Sequence, residues 1–152
     1  MVRKKGIKRH IALQPLSRHH MLGLHIGLKL SRAGTEESRI SLEEIITDAK
    51  KFWPGAEKHF REEEEIVLPT YAMYAEINKP EIIEMLLEHV TIRCRMKQLI
   101  NNELNLAELR SLGTLLRNHI RKEEQVIFPM IENALPEAEL EKLAPYLHEH
   151  DE

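Results

Sequence analysis

Length, composition and charge restrict the class of this protein. The chain has 152 residues, of which 42% are hydrophobic and 31% are charged, and its formal net charge is -3. This length suits one domain with a sizeable core, and the small net charge argues against nucleic acid as a partner. No apolar run reaches the ~20 residues of a membrane span, which argues against a membrane partner. The single cysteine, Cys94, excludes an internal disulfide and favours a cytoplasmic location.

The chain begins with a basic segment and a helix. Residues 1–11 are rich in Lys and Arg and are expected to form a solvated tail. The first helix is predicted over about residues 15–33. Gly34 is expected to end this helix, because glycine tolerates the backbone conformation that a helix terminus requires.

Four further helices follow, most of them with a recognisable start. Ser41 and Glu44 form a capping-box pattern that begins the second helix. This helix should contain a kink or break near Pro54, because proline removes a helical hydrogen bond. The ranges predicted for the second to the fifth helix are about 42–74, 80–101, 106–132 and 136–148.

Four long helices with short connections favour an all-α architecture. The natural packing is an up-down-up-down four-helix bundle, which we expect over residues 12–134. Residues 135–152 should add a short C-terminal helix and a tail. The apolar residues Leu140, Leu143 and Leu147 of this last helix either cap the bundle or form an interface.

One phrase of eleven residues occurs twice in the chain. His59 to Pro69 aligns without a gap with His119 to Pro129, and the His, the Arg, two Glu and the Pro are identical. Both copies contain His-x-x-x-Glu, and residues four apart lie on one face of a helix. Each copy therefore presents an imidazole beside a carboxylate.

Heptad spacing places both copies on helix stripes that are otherwise apolar, so their His and Glu should point inward. The first and third predicted helices each carry one His on such a stripe. The inward polar residues are therefore expected to be His20, His59, Glu63, His89, His119 and Glu123.

Buried carboxylates among imidazoles indicate a metal. Burying an ionised carboxylate without a partner costs several kcal/mol, and the second and fourth helices have no inward Lys or Arg at the level of Glu63 and Glu123. A bound cation neutralises the carboxylates and uses the lone pairs of neutral imidazoles. A single inward His is more simply a hydrogen-bonded core residue, but one on each of four helices favours a metal site. The donor set suits iron, with manganese or zinc as alternatives.

These motifs resemble those of the hemerythrin-like family, the HHE cation-binding domains, over about residues 12–134. The family pattern is one His on the first and third helices and His-x-x-x-Glu on the second and fourth. The resemblance implies a non-haem di-iron site, with an oxo or hydroxo bridge, in a four-helix bundle. It implies two histidines for each iron and two bridging glutamates: His20 with His59, His89 with His119, and the bridges Glu63 and Glu123.

Several positions near the motifs have alternative interpretations. Oxygen-carrying hemerythrins have a second His one turn after the third-helix His, and this chain has Arg93 there, which leaves more positions for solvent or an added ligand. The first helix offers both His19 and His20, and the helical register favours His20. Glu64 and Glu124 either orient the histidines or face solvent. The remaining histidines are expected to be solvated: His10, His25, His148 and His150.

The resemblance implies two classes of function. The first is a protein that binds a small diatomic ligand, oxygen or nitric oxide, or senses iron or redox state. The second is a di-iron enzyme that reduces peroxide or nitric oxide, or a donor of iron for the repair of iron–sulfur clusters. A helical interaction protein without a metal is the third, structural alternative.

Overall fold

The computed structural model describes residues 8–147, and this part of the chain is helical and contains no strand. Short 3-10 turns cover Ile11–Leu13 and Ala144–Tyr146. The α-helices are α1 (Gln14–Ser31), α2 (Leu42–Glu62), α3 (Leu68–Ala72), α4 (Pro80–Ile100), α5 (Leu106–Lys122), α6 (Phe128–Ala134) and α7 (Glu137–Leu143).

The five predicted helices are all present. Helices α1 and α4 match the first and third predictions, and Ser41 caps α2 by accepting a hydrogen bond from the Glu44 N–H. The second prediction corresponds to α2 and α3, and the fourth to α5 and α6. Gly34 has a φ of 74°, the left-handed conformation expected just after a helix. Helix α7 is shorter than predicted, and His148 lies outside the described residues.

A π-helical segment interrupts both long predicted helices at the same place in the repeat. These segments are Glu63–Val67 and Glu123–Ile127. The N–H of Leu68 donates to the carbonyl that lies five residues back, rather than four. Because Pro69 has no N–H and its ring crowds the carbonyl four residues earlier, the wider turn removes a clash that a regular α-helix would contain.

The predicted break near Pro54 was wrong. Helix α2 continues through this residue from Leu42 to Glu62. Pro54 lies on the exposed side of the helix. Water can therefore hydrate the carbonyl that the proline leaves without a helical donor, and the helix tolerates the loss.

Close backbone contact joins α1 to α5. Helices α1 and α4 each pack against both α2 and α5. A Cβ atom built on Gly113 would lie 2.5 Å from both the Gly27 carbonyl oxygen and the Ser31 nitrogen. The backbones of α1 and α5 thus approach closely at Gly27, and this contact requires a second glycine, Gly113, on α5.

Two apolar clusters fill the described part of the molecule. One lies among α1, α2, α4 and α5 and includes Phe52, Trp53, Met96 and Leu112. The other includes Tyr71 and Phe128 and also contains the three leucines at and just after α7. These leucines, Leu140, Leu143 and Leu147, are at most 4% exposed. They therefore cap the bundle.

The end of the predicted N-terminal tail is not solvated. Arg9 is only 8% exposed, and its guanidinium pairs with Glu124 and Glu132 at 3.0 and 3.1 Å. His10 is half-buried and contacts Glu137 at 3.0 Å, so the expectation that it is solvated was wrong. Charged partners on α6 and α7 hold this segment, and the sequence pattern of the tail gave no sign of them. The rest of the tail, residues 1–7, lies outside the described residues.

Candidate metal centre

The six inward residues predicted from the sequence lie together in one buried layer. Their ligand atoms form two groups, and within each group the atoms lie within 4.8 Å of one another. All six residues are at most 4% exposed. Both groups share the two glutamates: the first is His20, His59, Glu63 and Glu123, and the second is Glu63, His89, His119 and Glu123.

The repeat positions one half of each group. His59 Nε2 lies 2.8 Å from Glu63 Oε2, and His119 Nε2 lies 2.9 Å from Glu123 Oε2. In both copies the glutamate is the first residue of the π segment. The spacing of one helical turn brings the histidine and the glutamate of each pair together. The π segment that follows accommodates the proline without moving the carboxylate away from the centre of the site.

Helices α1 and α4 supply the other two imidazoles. His20 Nε2 lies 2.9 Å from Glu123 Oε1. His89 Nε2 lies 3.2 Å from Glu123 Oε2 and 3.1 Å from Glu63 Oε1. All four histidines therefore direct Nε2 toward the pair of carboxylates and Nδ1 away from it.

Three of these histidines have a carboxylate on the outer nitrogen. The Nδ1 contacts are 2.5 Å for His20 with Glu124, 2.6 Å for His89 with Glu64, and 2.7 Å for His119 with Glu88. A carboxylate in this position accepts a hydrogen bond from Nδ1–H, so that the neutral imidazole has its Nε2 lone pair facing inward. Of the two interpretations of Glu64 and Glu124, orientation of the histidines is the one that the contacts bear out.

A cation backs each of the three outer carboxylates. Arg9 pairs with Glu124 at 3.0 Å, Arg93 with Glu64 at 2.9 Å, and Lys122 with Glu88 at 2.7 Å. Each cation keeps its carboxylate ionised and fixed in direction, and the carboxylate fixes the ring. Arg93 therefore points to Glu64 and contributes no ligand at the position where the oxygen-carrying relatives have a histidine.

His59 has a different outer partner. Its Nδ1 lies 3.0 Å from the Nδ1 of His19, whose ring stacks on Phe52 at a centroid distance of 5.5 Å. His19 thus lies behind His59, and His20 is the α1 histidine that faces the carboxylates. His25 is exposed, as predicted.

Burial and charge give the two glutamates opposite pKa shifts. Burial raises the pKa of Glu63 well above its usual value, and the neighbouring Glu123 carboxylate raises it further. Burial also opposes the ionisation of Glu123, but contacts with three histidines, led by His119, hold its pKa well below the usual value. In the metal-free protein the surroundings therefore favour the neutral form of Glu63 and the ionised form of Glu123.

The pKa values of His59 and His119, the histidines of the repeated motif, are also shifted in opposite directions. Burial, followed by repulsion from His20, lowers the pKa of His59 well below 6.5. Burial acts in the same direction on His119, but Glu123 and Glu88 outweigh it and raise the pKa of His119 to about 9. The copies therefore share the His-x-x-x-Glu motif and the same backbone form, but their surroundings shift the pKa values of the two histidines in opposite directions.

Two buried atoms at the centre indicate that these residues suit a metal. Glu63 Oε1 lies 3.1 Å from His89 Nε2 and His119 Nε2 lies 2.9 Å from Glu123 Oε2, but among residues 8–147 neither buried atom has a partner at hydrogen-bonding geometry. Unpaired buried polar atoms are costly, and a cation would satisfy both. Imidazole nitrogens with carboxylate oxygens form a donor set that suits iron, manganese or zinc.

A small cavity adjoins the centre on the side of α1. Its free volume is about 10 Å³, close to the smallest that holds one water-sized molecule. The walls are mostly apolar and include Gly23, Phe52, Phe60 and Leu116, with His59 at one side. A Cβ atom on Gly23 would lie 2.6 Å from Ile120 Cδ1, so the missing side chain helps to leave this space open.

Sequence reasoning missed Glu88, Arg9 and the outer role of His19. Glu88 and His19 each immediately precede an inward histidine, on α4 and α1, and this shared position is a signal that could have been used. Arg9 carried no signal, because its partner Glu124 lies 115 residues away.

The fold and the site together define a helical protein with a buried His and Glu cluster that can hold metal cations. The sequence model of the hemerythrin HHE cation binding domain matches residues 16–131. The chain therefore belongs to the hemerythrin HHE cation-binding family, as its motifs indicated. No curated protein and no solved structure matches the chain. Within residues 8–147, no helix is long and apolar enough to cross a membrane.

Proposed function

We propose that this chain is a non-haem di-iron protein that binds a small diatomic ligand, oxygen or nitric oxide, or senses iron or redox state. The observation that carries the proposal is the arrangement of two overlapping ligand groups around a shared pair of glutamates. In this proposal the pair of histidines from α1 and α2 would hold one iron, and the pair from α4 and α5 would hold the other. Glu63 and Glu123, which belong to both ligand groups, would be shared between the two.

The chain's own residues would orient and protect the centre. Bound iron would supply an electron source and an open coordination position for the diatomic ligand. The outer carboxylates hold the imidazole rings in one direction, so that little reorganisation accompanies binding. Apolar walls around the cavity limit the access of water, and its small volume would favour small ligands over large ones.

Two further observations support the proposed helix topology and the proposed location of the protein. Helix α1 packs against α2 and α5, as does α4. This is the neighbour pattern that an up-down-up-down order gives, and we propose that order. The lone Cys94 supports a cytoplasmic location.

Metal analysis with an ultraviolet–visible spectrum of aerobically purified protein tests the proposal. We expect about two irons per chain, with near-ultraviolet bands that change when azide or nitric oxide is added. His20→Ala should reduce the iron content, whereas His25→Ala on the exposed side of the same helix should leave it unchanged. Absence of metal after anaerobic reconstitution with ferrous iron would refute the di-iron proposal.

The position of Arg93 favours an enzyme as the second candidate. Because this side chain pairs with Glu64, the proposed irons would each have two histidines, and positions would be left for a substrate. Turnover of peroxide or nitric oxide by the reduced protein, above that of free iron and lost in His20→Ala, would support this candidate. Reversible binding without turnover would exclude it.

A further inference from the structure

Helix α4 carries a row of exposed apolar residues opposite its buried side. Ile83, Leu87 and Val90 are 44%, 62% and 60% exposed, and the exposed Cys94 continues the row. Their spacing of four, three and four residues forms one stripe along the helix. We call these four residues the α4 stripe. Single exposed apolar residues are ordinary, but a continuous stripe of this kind marks an interaction surface.

The charges of α4 indicate which partner suits the stripe. On the edge that faces α5, Glu84 lies near the start of the stripe and Arg95 lies near its end. Both point toward α5, where Glu84 contacts Lys122 at 2.9 Å and Arg95 contacts Glu108 at 3.7 Å. An antiparallel copy of α4 would place each Glu84 beside the Arg95 of the other copy, so the edge is complementary to itself.

The shape of the surface around the α4 stripe also suits an antiparallel second copy of α4. The second half of α4 borders an open groove, whose lining is mostly apolar in area but includes charged side chains: Val90, Arg93, Cys94, Lys97, Gln98, Asn101 and Glu103. The first half presents the exposed side chains of Ile83 and Leu87. A two-fold axis between Leu87 and Val90 would place these two side chains of one copy over the groove of the other.

We propose that the α4 stripe is the interface of a homodimer in which two α4 helices pack antiparallel. Leu87 of each copy then lies against Val90 of the other, and Ile83 lies against Cys94. The metal centre lies on the opposite, buried side of α4. The dimer therefore forms with or without metal, and its test is independent of the proposed iron chemistry.

Sedimentation equilibrium of the full chain is the first test. We expect a mass of twice 17.8 kDa at high concentration, with dissociation on dilution over a range of about 1–500 µM. Leu87→Glu should give a monomer at every concentration. Met21→Glu is the matched control, because Met21 is 67% exposed but lies on α1, and it should leave the dimer intact.

A charge exchange tests the antiparallel direction. Glu84→Arg and Arg95→Glu should each weaken self-association about 10-fold or more, and the double variant should restore it to within about 3-fold. Thermal unfolding of each variant checks that the loss of contacts to Lys122 and Glu108 has not unfolded the chain. No recovery in the double variant would overturn the antiparallel arrangement.

A disulfide trap tests the register. Ile83→Cys should form an intermolecular disulfide with the native Cys94 of the other copy under mild oxidation. Two native Cys94 residues would be separated along the helices by roughly 16 Å and should not cross-link, because eleven residues rise that far. Glu81→Cys, on another side of α4, is the control. A monomer throughout the concentration range, a dimer that Leu87→Glu leaves intact, or equal cross-linking by both cysteine variants would overturn the proposal.

Discussion

The candidate metal centre has two similar halves, one on α1 and α2 and the other on α4 and α5, and they differ at one residue position. His20 and His89 both direct Nε2 to Glu123, and each has an outer carboxylate from a repeat copy. His59 and His119 both precede a π segment by one turn. The two halves therefore resemble each other in backbone form, in the types of candidate ligand residue and in the carboxylates that contact His20 and His89.

The two halves differ at the residue that immediately precedes the inward histidine of α1 or α4. In the α4–α5 half this residue is Glu88, which contacts His119 and is backed by Lys122. In the α1–α2 half it is His19, which contacts His59 and stacks on an apolar ring. The outer partner of His119 is therefore a carboxylate and that of His59 an imidazole, and this difference adds to the larger effects of burial, His20 and Glu123 on the two pKa values.

The largest expected difference lies between the two glutamates in metal-free protein. Glu123→Gln should lower the free energy of unfolding by about 3–5 kcal/mol, because it removes a buried charge to which histidines are paired. Glu63→Gln should change it by less than about 1 kcal/mol, because burial raises the pKa of this carboxyl and so favours its neutral form, which an amide resembles in size and shape. Urea unfolding of chelator-treated protein at pH 7 measures both. Equal losses would contradict the assignment of charge.

The pH dependence of the metal-free protein should separate the repeat histidines. The pKa of His119 is raised to about 9, so its stabilising contribution is complete below pH 6.5 and is lost as the pH rises to about 9. The wild type should therefore lose roughly 3 kcal/mol relative to His119→Gln across this range. Urea unfolding at a series of pH values measures the difference.

His59 should show the opposite sign. Its pKa is lowered, so its neutral form is compatible with the folded state above pH 6.5, and stability is lost as the pH falls below that value. The wild type should lose stability relative to His59→Gln below pH 6.5 and not above it. A loss on the alkaline side would show that the two copies are not electrostatically different.

Affinity for ferrous iron should distinguish Glu88 from His19. Glu88→Gln removes a charged outer partner of His119, and the affinity should fall about 10- to 100-fold. His19→Gln exchanges the imidazole partner of His59 for an amide and removes no carboxylate, so the affinity should fall less than about 10-fold. Competition with a chelator of known affinity gives both values. A larger effect at His19 would reverse the proposed roles.

The smallest expected difference in stability lies between variants of Arg9 and Arg93, the arginines that pair with Glu124 and Glu64. Arg9→Met should lower the free energy of unfolding by about 2 kcal/mol, since Arg9 is buried and bonds two carboxylates. Arg93→Met should lower it by less than about 1 kcal/mol, because the side chain of Arg93 is 25% exposed and pairs with one carboxylate. Thermal unfolding followed by circular dichroism ranks the two. The reverse order would show that burial does not set the strength of these pairs.

The sequence by itself determined the helices, the stripes and the six inward residues. Each depends on spacing within a few residues, and the geometry of one helix converts that spacing directly into a face. The placement of His20, rather than His19, toward the centre also follows from register.

Only the tertiary structure decided which side chains support those six residues. His119 and Glu88 lie 31 positions apart, and His20 and Glu124 lie 104 apart. Such pairings depend on how far each helix is rotated and shifted against its neighbours, which no local pattern specifies. The burial of Arg9 and the continuity of α2 at Pro54 have the same origin, because contacts and solvent access across the bundle outweigh the local preference of the residue.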